Sequence, residues 1–255
     1  MTETSRSGRL VALRRRLEAL ERTGRQGRSV LSFALSAIDE ALPDKGLAFA
    51  ALHEVAGVGP EEEDGAVAAA FLAGILARLK PGLPVLWCLA EGDLYGPGLA
   101  AFGLDTGRLI LAQAQHPREV LWAMEEGLRS PALAAVVGEL EVLSLPASRR
   151  LLLAAEASGV TGFALRRWRD GKRAAGQRLA PNAAQTRWRI KALPGDVTAG
   201  EPGIGRARWQ VELWRCRRGV PASWIMEACD ATGHVSLAAA LADRPAAWQP
   251  AARAG

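Results

Sequence analysis

The sequence predicts an α/β fold: a mostly parallel β-sheet flanked by helices, with an antiparallel β-meander added at its C-terminal end. Three observations point there. Short apolar runs of strand type alternate with helical patterns between residues 48 and 165, as βαβ units require. One of these runs, residues 84–90 (PVLWCLA), is apolar throughout, the mark of a strand buried on both faces. Beyond residue 165, three strand-like segments succeed one another with Gly and Pro between them and no long helix.

In chain order, residues 9–22 (RLVALRRRLEALER) set Leu10, Leu13, Leu17 and Leu20 at helical spacing and make a basic amphipathic helix. The polar stretch 23–28 detaches it from the rest of the chain. Such a helix packs on a neighbouring domain or another chain, or covers an edge of its own domain. Leu31, Leu35, Ile38 and Leu42 predict a second helix over 31–42, ended by Pro43-Asp44-Lys45-Gly46. A strand over 48–55 comes next, then a glycine-rich turn and a helix over 66–79 that Pro81-Gly82 closes. The strand at 84–90 runs into Glu91-Gly92-Asp93. A short helix at 98–102, a strand at 108–112, a helix at 118–129, a strand at 133–137, a helix at 149–158 and a strand at 160–165 complete the alternating part. The meander strands are 187–193, 208–218 and 223–229. The tail, rich in Ala, Pro and Arg, is expected to fray. The expected organisation is a helix and linker over 1–28, one domain over 29–235 and a flexible tail over 236–255.

The chain has 255 residues and is 49% apolar, enough for a large core. No run approaches the roughly 20 apolar residues that span a bilayer, and MTETSRSGRL lacks the apolar centre of a signal peptide, so a cytoplasmic protein is expected. Cys88, Cys216 and Cys229 are odd in number and far apart, which argues for free thiols. His53, His116 and His234 are dispersed, and no CxxC occurs, so no metal site is expected. Residues 1–148 carry 14 basic and 19 acidic side chains, a balance of −5, whereas residues 149–255 carry 18 and 8, a balance of +10. That split suits an anionic partner for the second part, or arginines that solubilise strands.

The turn Gly57-Val58-Gly59-Pro60-Glu61-Glu62-Glu63-Asp64-Gly65 lies between a strand and a helix, the layout of a phosphate-binding loop. Such a loop works because backbone N–H groups and a Lys face an anion. Here no Lys comes after the glycines and no Ser or Thr is placed to hold a metal; four acids occupy the turn. Carboxylates suit a helix N-terminus but repel a triphosphate.

Residues 31–58 (LSFALSAIDEALPDKGLAFAALHEVAGV) resemble the entry to the RecA-type ATPase core, and residues 86–104 (LWCLAEGDLYGPGLAAFGL) resemble its second strand and the helix after it. By that resemblance Glu91 stands where RecA-type proteins keep the carboxylate that activates water, and Gly138, with Glu139 beside it, where they keep a metal-holding Asp. Within this superfamily the chain is identified as a member of the ImuA proteins, through Leu52-His53-Glu54-Val55 ahead of a degenerate loop and the closing region RWQVELWRCRRGVPASWIMEACDATG. The resemblance covers residues 29–235. It implies a non-catalytic RecA-like accessory protein of SOS-induced, error-prone translesion synthesis, holding no cofactor. Its implied partners are an ImuB-type Y-family polymerase-like protein, an error-prone replicative-type DNA polymerase and RecA. The rivals are an ATP-dependent recombination or DNA-repair ATPase, which needs the missing Lys, and a SulA-like cell-division inhibitor.

Arg166, Arg167, Trp168, Arg169, Lys172 and Arg173 form the densest basic cluster and come directly after the last parallel strand. Arg beside an aromatic grips phosphate and stacks on bases, so this is the candidate surface for single-stranded DNA or a protein partner. Glu91 and Asp93 form an acidic pair at a strand end, where α/β folds place sites, or else cap the next helix. Trp188, Trp209, Trp214 and Trp224 lie on the meander, as core aromatics or, for one of Trp209 and Trp214, exposed at a partner surface. Trp209 and Trp214 are an odd number apart and so face opposite sides of a regular strand.

Overall fold

A computed structural model describes residues 29–59, 64–168, 180–196 and 206–238. Within them the expected α/β class is what forms. Two short strands, β1 (Val30–Leu31) and β2 (Leu47–Ala48), pair antiparallel beside the main sheet. The helix expected over 31–42 is reduced to one turn, α1 (Ser36–Asp39). The reason is Asp39, whose buried carboxylate accepts from the Phe33 N–H at 2.8 Å and the Ser32 hydroxyl at 2.6 Å. Those bonds close a turn through Ala34, which has φ +59°, so Leu31 goes to a strand.

The main sheet is built from β3 (Leu52–Gly57), β4 (Val85–Leu89), β5 (Leu109–Gln113), β6 (Ala135–Leu140), β7 (Thr161–Arg166), β8 (Thr186–Asp196), β9 (Arg206–Cys216), β10 (Ala222–Glu227) and β11 (Ser236–Leu237). Among the described residues these nine lie in the order β11-β10-β9-β8-β3-β7-β6-β4-β5. From β5 to β8 all neighbours are parallel; from β8 to β11 all are antiparallel. The meander therefore begins on a strand, β8, that is parallel on one edge and antiparallel on the other. Ser236–Leu237 pair with β10, so ordered structure runs past residue 235.

Between the strands run α2 (Ala66–Arg78), α3 (Gly96–Ala100), α4 (Pro117–Leu128) and α5 (Leu145–Ser158). The step from β3 to β4 moves toward one edge of the sheet, and the steps from β5 to β6 and β6 to β7 move back. With the usual right-handed crossover, helices on opposing steps lie on opposite faces. The cores agree. Phe71, Leu72 and Leu76 of α2 pack with Val55, Trp87, Val137, Phe163, Trp188 and Trp209. Val120, Met124 and Leu128 of α4 and Leu151 of α5 pack on Leu52, Val136 and Ala164 from the other side.

Local signals fix the helix ends. Glu119 accepts from the Gln115 and His116 N–H groups at the start of α4, with Pro117 at the first turn. Ser144 caps α5 at its start, and Gly159, at φ +79°, ends it in the left-handed region. The Arg108 guanidinium donates to the carbonyls of Leu76, Ala77, Leu79 and Lys80 and so closes the C-terminus of α2. Gly103, at φ +91°, lies so close to Gly233 that a side chain would come within 2.5 Å of the Gly233 nitrogen, which ties the α3 corner to the loop after β10.

Candidate functional site

Strand β3 is the axis of the site, and its two faces carry opposite chemistry. On the face toward α2 its C-terminal end opens into the glycine turn. Asp64, at the foot of α2, is 2% exposed. One of its carboxylate oxygens accepts from the Gly59 N–H at 2.5 Å, and the other accepts from the Ala192 N–H of β8 at 2.8 Å. A Cβ on Gly57 would fall 2.7 Å from the Asp64 carbonyl carbon, and one on Gly59 would fall 2.7 Å from its carboxylate. Gly57 thus makes room for the Asp64 backbone and Gly59 for its carboxylate. The turn offers Gly59 N–H to Asp64, where a phosphate loop would offer such groups to a ligand.

Further along the same sheet edge, Arg167 donates to Glu139 and to Asp93, each at 2.8 Å. Glu139 also accepts from the Trp87 indole N–H at 2.9 Å. The Arg167 charge is thereby divided between two carboxylates. Gly138 does not face this edge: a Cβ there would lie 2.0 Å from the Met124 sulfur, so it points at α4. Alternation along β6 brings Glu139 to the α2 side instead. Glu91 is exposed, beyond the end of β4.

The other face of β3 carries Glu54, 3% exposed. Glu54 accepts from Arg187 Nε at 2.7 Å, from Arg166 at 3.1 Å and from Asn182 at 2.5 Å. Arg166 donates further to the Leu140 and Glu141 carbonyls, and Arg187 to the Ala180 carbonyl. Burial pulls the Arg166 pKa down from its ordinary value, and the Glu54 carboxylate opposes that shift. Arg166 lies over the Trp168 ring at 4.6 Å, and Arg187 and Arg189 lie over the Trp214 ring at 4.4 and 4.0 Å. Glu54, Trp168, Arg187, Arg189 and Trp214, together with Gly57 and Val58 at the start of the glycine turn, line a hollow at the end of the sheet.

His53, beside Glu54, points to the α2 side of β3. Its Nε2–H donates to the Ala48 carbonyl at 2.8 Å, and Nδ1 accepts from the Thr186 hydroxyl at 2.7 Å, which accepts in turn from the Trp188 indole N–H at 2.8 Å. Burial lowers the His53 pKa to about 4, so the ring is neutral. It pins β2, β3 and β8 together. The cysteines are free, and burial raises Cys88 and Cys229 to about 12 and Cys216 to about 11, which makes all three poor nucleophiles.

The protein named ImuA of Caulobacter vibrioides, in strains NA1000 / CB15N and ATCC 19089 / CIP 103742 / CB 15, is 40% identical to the chain over 232 residues, covering 88% of the chain and 95% of the relative. No protein-family model matches the chain. Identity at that level over nearly the whole of both chains decides the kinship. The chain belongs to the ImuA family.

In this ImuA-family chain the residues singled out from sequence separate. Gly57, Gly59, Asp64 and Gly65 are brought together in the turn; Glu61, Glu62 and Glu63 lie outside the described residues. Arg166, expected on a binding surface, is 1% exposed, because alternation along β7 turns it inward onto Glu54. Arg167 is engaged at the opposite face, and Trp168 is 5% exposed under Arg166. Arg169, Lys172 and Arg173 lie outside the described residues. Trp209 is buried and Trp214 half-buried on opposite sides of β9, as their spacing requires. Sequence reasoning missed the Glu54–Arg166–Arg187 cluster. One signal was available: an acid inside a strand buried along its length needs a cationic partner.

Proposed function

We propose that the chain is a non-catalytic, RecA-like accessory protein, a scaffold in SOS-induced error-prone translesion DNA synthesis. Membership of the ImuA family supports the pathway. The observation that carries the non-catalytic reading is Asp64: a buried carboxylate occupies the glycine turn where a nucleotide's phosphates would have to enter. A phosphoryl-transfer site needs a cradle, a cation and a metal-holding hydroxyl as well as an acid that orients water. Of these the sequence retains an acid, Glu91. In this reading the partners are an ImuB-type Y-family polymerase-like protein, an error-prone replicative-type polymerase and RecA, and the protein works in the cytoplasm. The basic segment with Arg169, Lys172 and Arg173 is the part that would meet single-stranded DNA, and the helix at residues 9–22 the part that would meet another chain.

Calorimetric titration of the purified chain with Mg-ATP at low salt is expected to give no heat of binding up to millimolar nucleotide. A micromolar dissociation constant would restore the ATPase reading. Affinity purification from cells exposed to a DNA-damaging agent is expected to bring down the two polymerase-like partners. Recovery of a cell-division protein in their place would favour the SulA-like reading.

A further inference from the structure

Among the described residues the main sheet ends on one side in β11, two residues long, and on the other in β5, five residues long. Proteins blunt a strand edge with Lys, Pro, a bulge or a covering element. β5 (LILAQ) carries no charge and no proline, and its register with β4 runs unbroken from Val85–Leu109 to Leu89–Gln113. Ile110 is 48% exposed and Leu111 55%. They lie on opposite faces, since Leu111 pairs with Trp87 on the α2 side and Ile110 with Leu86 on the α4 side. The backbone of this edge is open too. Ala114 donates to the Leu89 carbonyl, so alternation turns the N–H and C=O groups of Leu109, Leu111 and Gln113 away from β4.

We propose that β5 is the interface of a two-fold dimer, pairing antiparallel about Leu111 with β5 of a second copy of this chain, so that two sheets become one. The proposal goes beyond the scaffold reading and does not depend on it.

Three features favour a second copy over another occupant. The strand is its own complement. With Leu111 on the axis, Leu111 stands opposite itself and Leu109 opposite Gln113, and these pairs exchange the outward-facing backbone bonds. Ile110 then stands opposite Ala112, a bulky side chain against a small one. Charge is complementary as well. Antiparallel pairing lays the end of the strand that bears Asp105 against the end that bears His116 and Arg118. Both Asp105 and Arg118 are exposed, and Arg118 has no ion-pair partner among the described residues. Glu119 is turned back onto the Gln115 and His116 N–H groups. Finally, two-fold pairing covers both open edges at once and closes, whereas any other addition leaves an edge to grow from.

The test is sedimentation velocity of the full chain at about 50 µM, because a dimer's population follows concentration. The parent is expected to sediment as a dimer. Leu111→Lys and Leu111→Asp should each give a monomer, since a charge on the axis meets its own copy. An equimolar mixture of the two variants should regain the dimer. Ile225→Lys, an exposed change on β10, should leave the dimer intact. Unaltered circular dichroism and unfolding midpoint show that the variants fold. Hydrogen exchange reads the edge directly: the Leu109, Leu111 and Gln113 amides should be protected in the parent and exchange freely in Leu111→Lys. A monomeric parent, a dimer indifferent to Leu111→Lys, or a mixture that stays monomeric overturns the proposal. So does a dimer in which these amides exchange freely, which would place its interface elsewhere. Protection in a monomeric parent that is lost on deleting residues 1–28 assigns the edge to the chain's own first segment, and equally overturns it. None of these outcomes alters the Mg-ATP titration, so failure here is distinguishable from failure of the scaffold reading.

Discussion

The two faces of β3 differ in what fills them. On the α2 face, Asp64 closes the glycine turn and Glu139 and Asp93 share Arg167, so carboxylates prevail. On the opposite face, among the described residues, Glu54 is shared by Arg166 and Arg187, with Arg189 beside them. Residues 54 and 57 are three positions apart on one strand and so serve opposite faces. An α/β sheet offers ligands the C-terminal ends of its parallel strands. At this end Asp64 occupies the glycine turn, and the arginines beside Glu54 line a hollow that reaches Gly57 and Val58. The group that fills the turn also holds strands together, since Asp64 accepts from Ala192 of β8.

The largest effect is expected at Glu54. Glu54→Gln removes a carboxylate shared by two buried guanidiniums and should cost about 3–5 kcal/mol, the usual result of breaking a buried ion pair. Urea unfolding reads it directly. A loss below about 1 kcal/mol would show that the arginines are held without the Glu54 charge.

His53 comes next and tests the α2 face by pH. In the unfolded chain the ring takes a proton near 6.5, whereas in the fold burial holds it neutral down to about 4. The unfolded state gains the proton first as pH falls, so stability declines between those values by about 3 kcal/mol. His53→Gln should abolish that slope, while costing stability at every pH. Persistence of the slope would place the responsible group elsewhere.

Much of this architecture is legible in the sequence. The all-apolar run at β4, the alternation of strands and helices, and the odd spacing of Trp209 and Trp214 each result from side-chain direction alone. The turn at Gly57–Gly65 announces itself by composition. Contacts distant in sequence are not legible. Glu54 meets Arg166 and Arg187 only after three strands are laid side by side. Asp64 meets Ala192 across the same gap, 128 residues along the chain. The misread helix at 31–42 failed for a local reason: Asp39 reaches back to Phe33, a choice that leucine spacing does not reveal.

Asp64→Ala should cost about 2 kcal/mol, since the Gly59 and Ala192 N–H groups each lose a charged acceptor. If the turn is a frame satisfied from within, the variant is weakened in unfolding experiments but gains no affinity for Mg-ATP, because no cation comes with the alanine. Micromolar nucleotide binding by the variant would mean that Asp64 acts as a removable gate, and the contrast between the two faces would need to be redrawn.

Glu91 carries the smallest expected effect. It is exposed beyond the end of β4, and the resemblance to RecA-type proteins would give it the place of a water-orienting acid. A surface substitution away from the packed core changes stability by within about 0.5 kcal/mol. Glu91→Gln should therefore leave the unfolding midpoint in place, and damage-induced mutagenesis in cells carrying the variant should match the parent. A mutagenesis defect without a stability defect would assign Glu91 a chemical role and return catalysis to the α2 face. Equal behaviour in both measurements locates the protein's work away from that edge, because an acid that served hydrolysis could not lose its charge unnoticed.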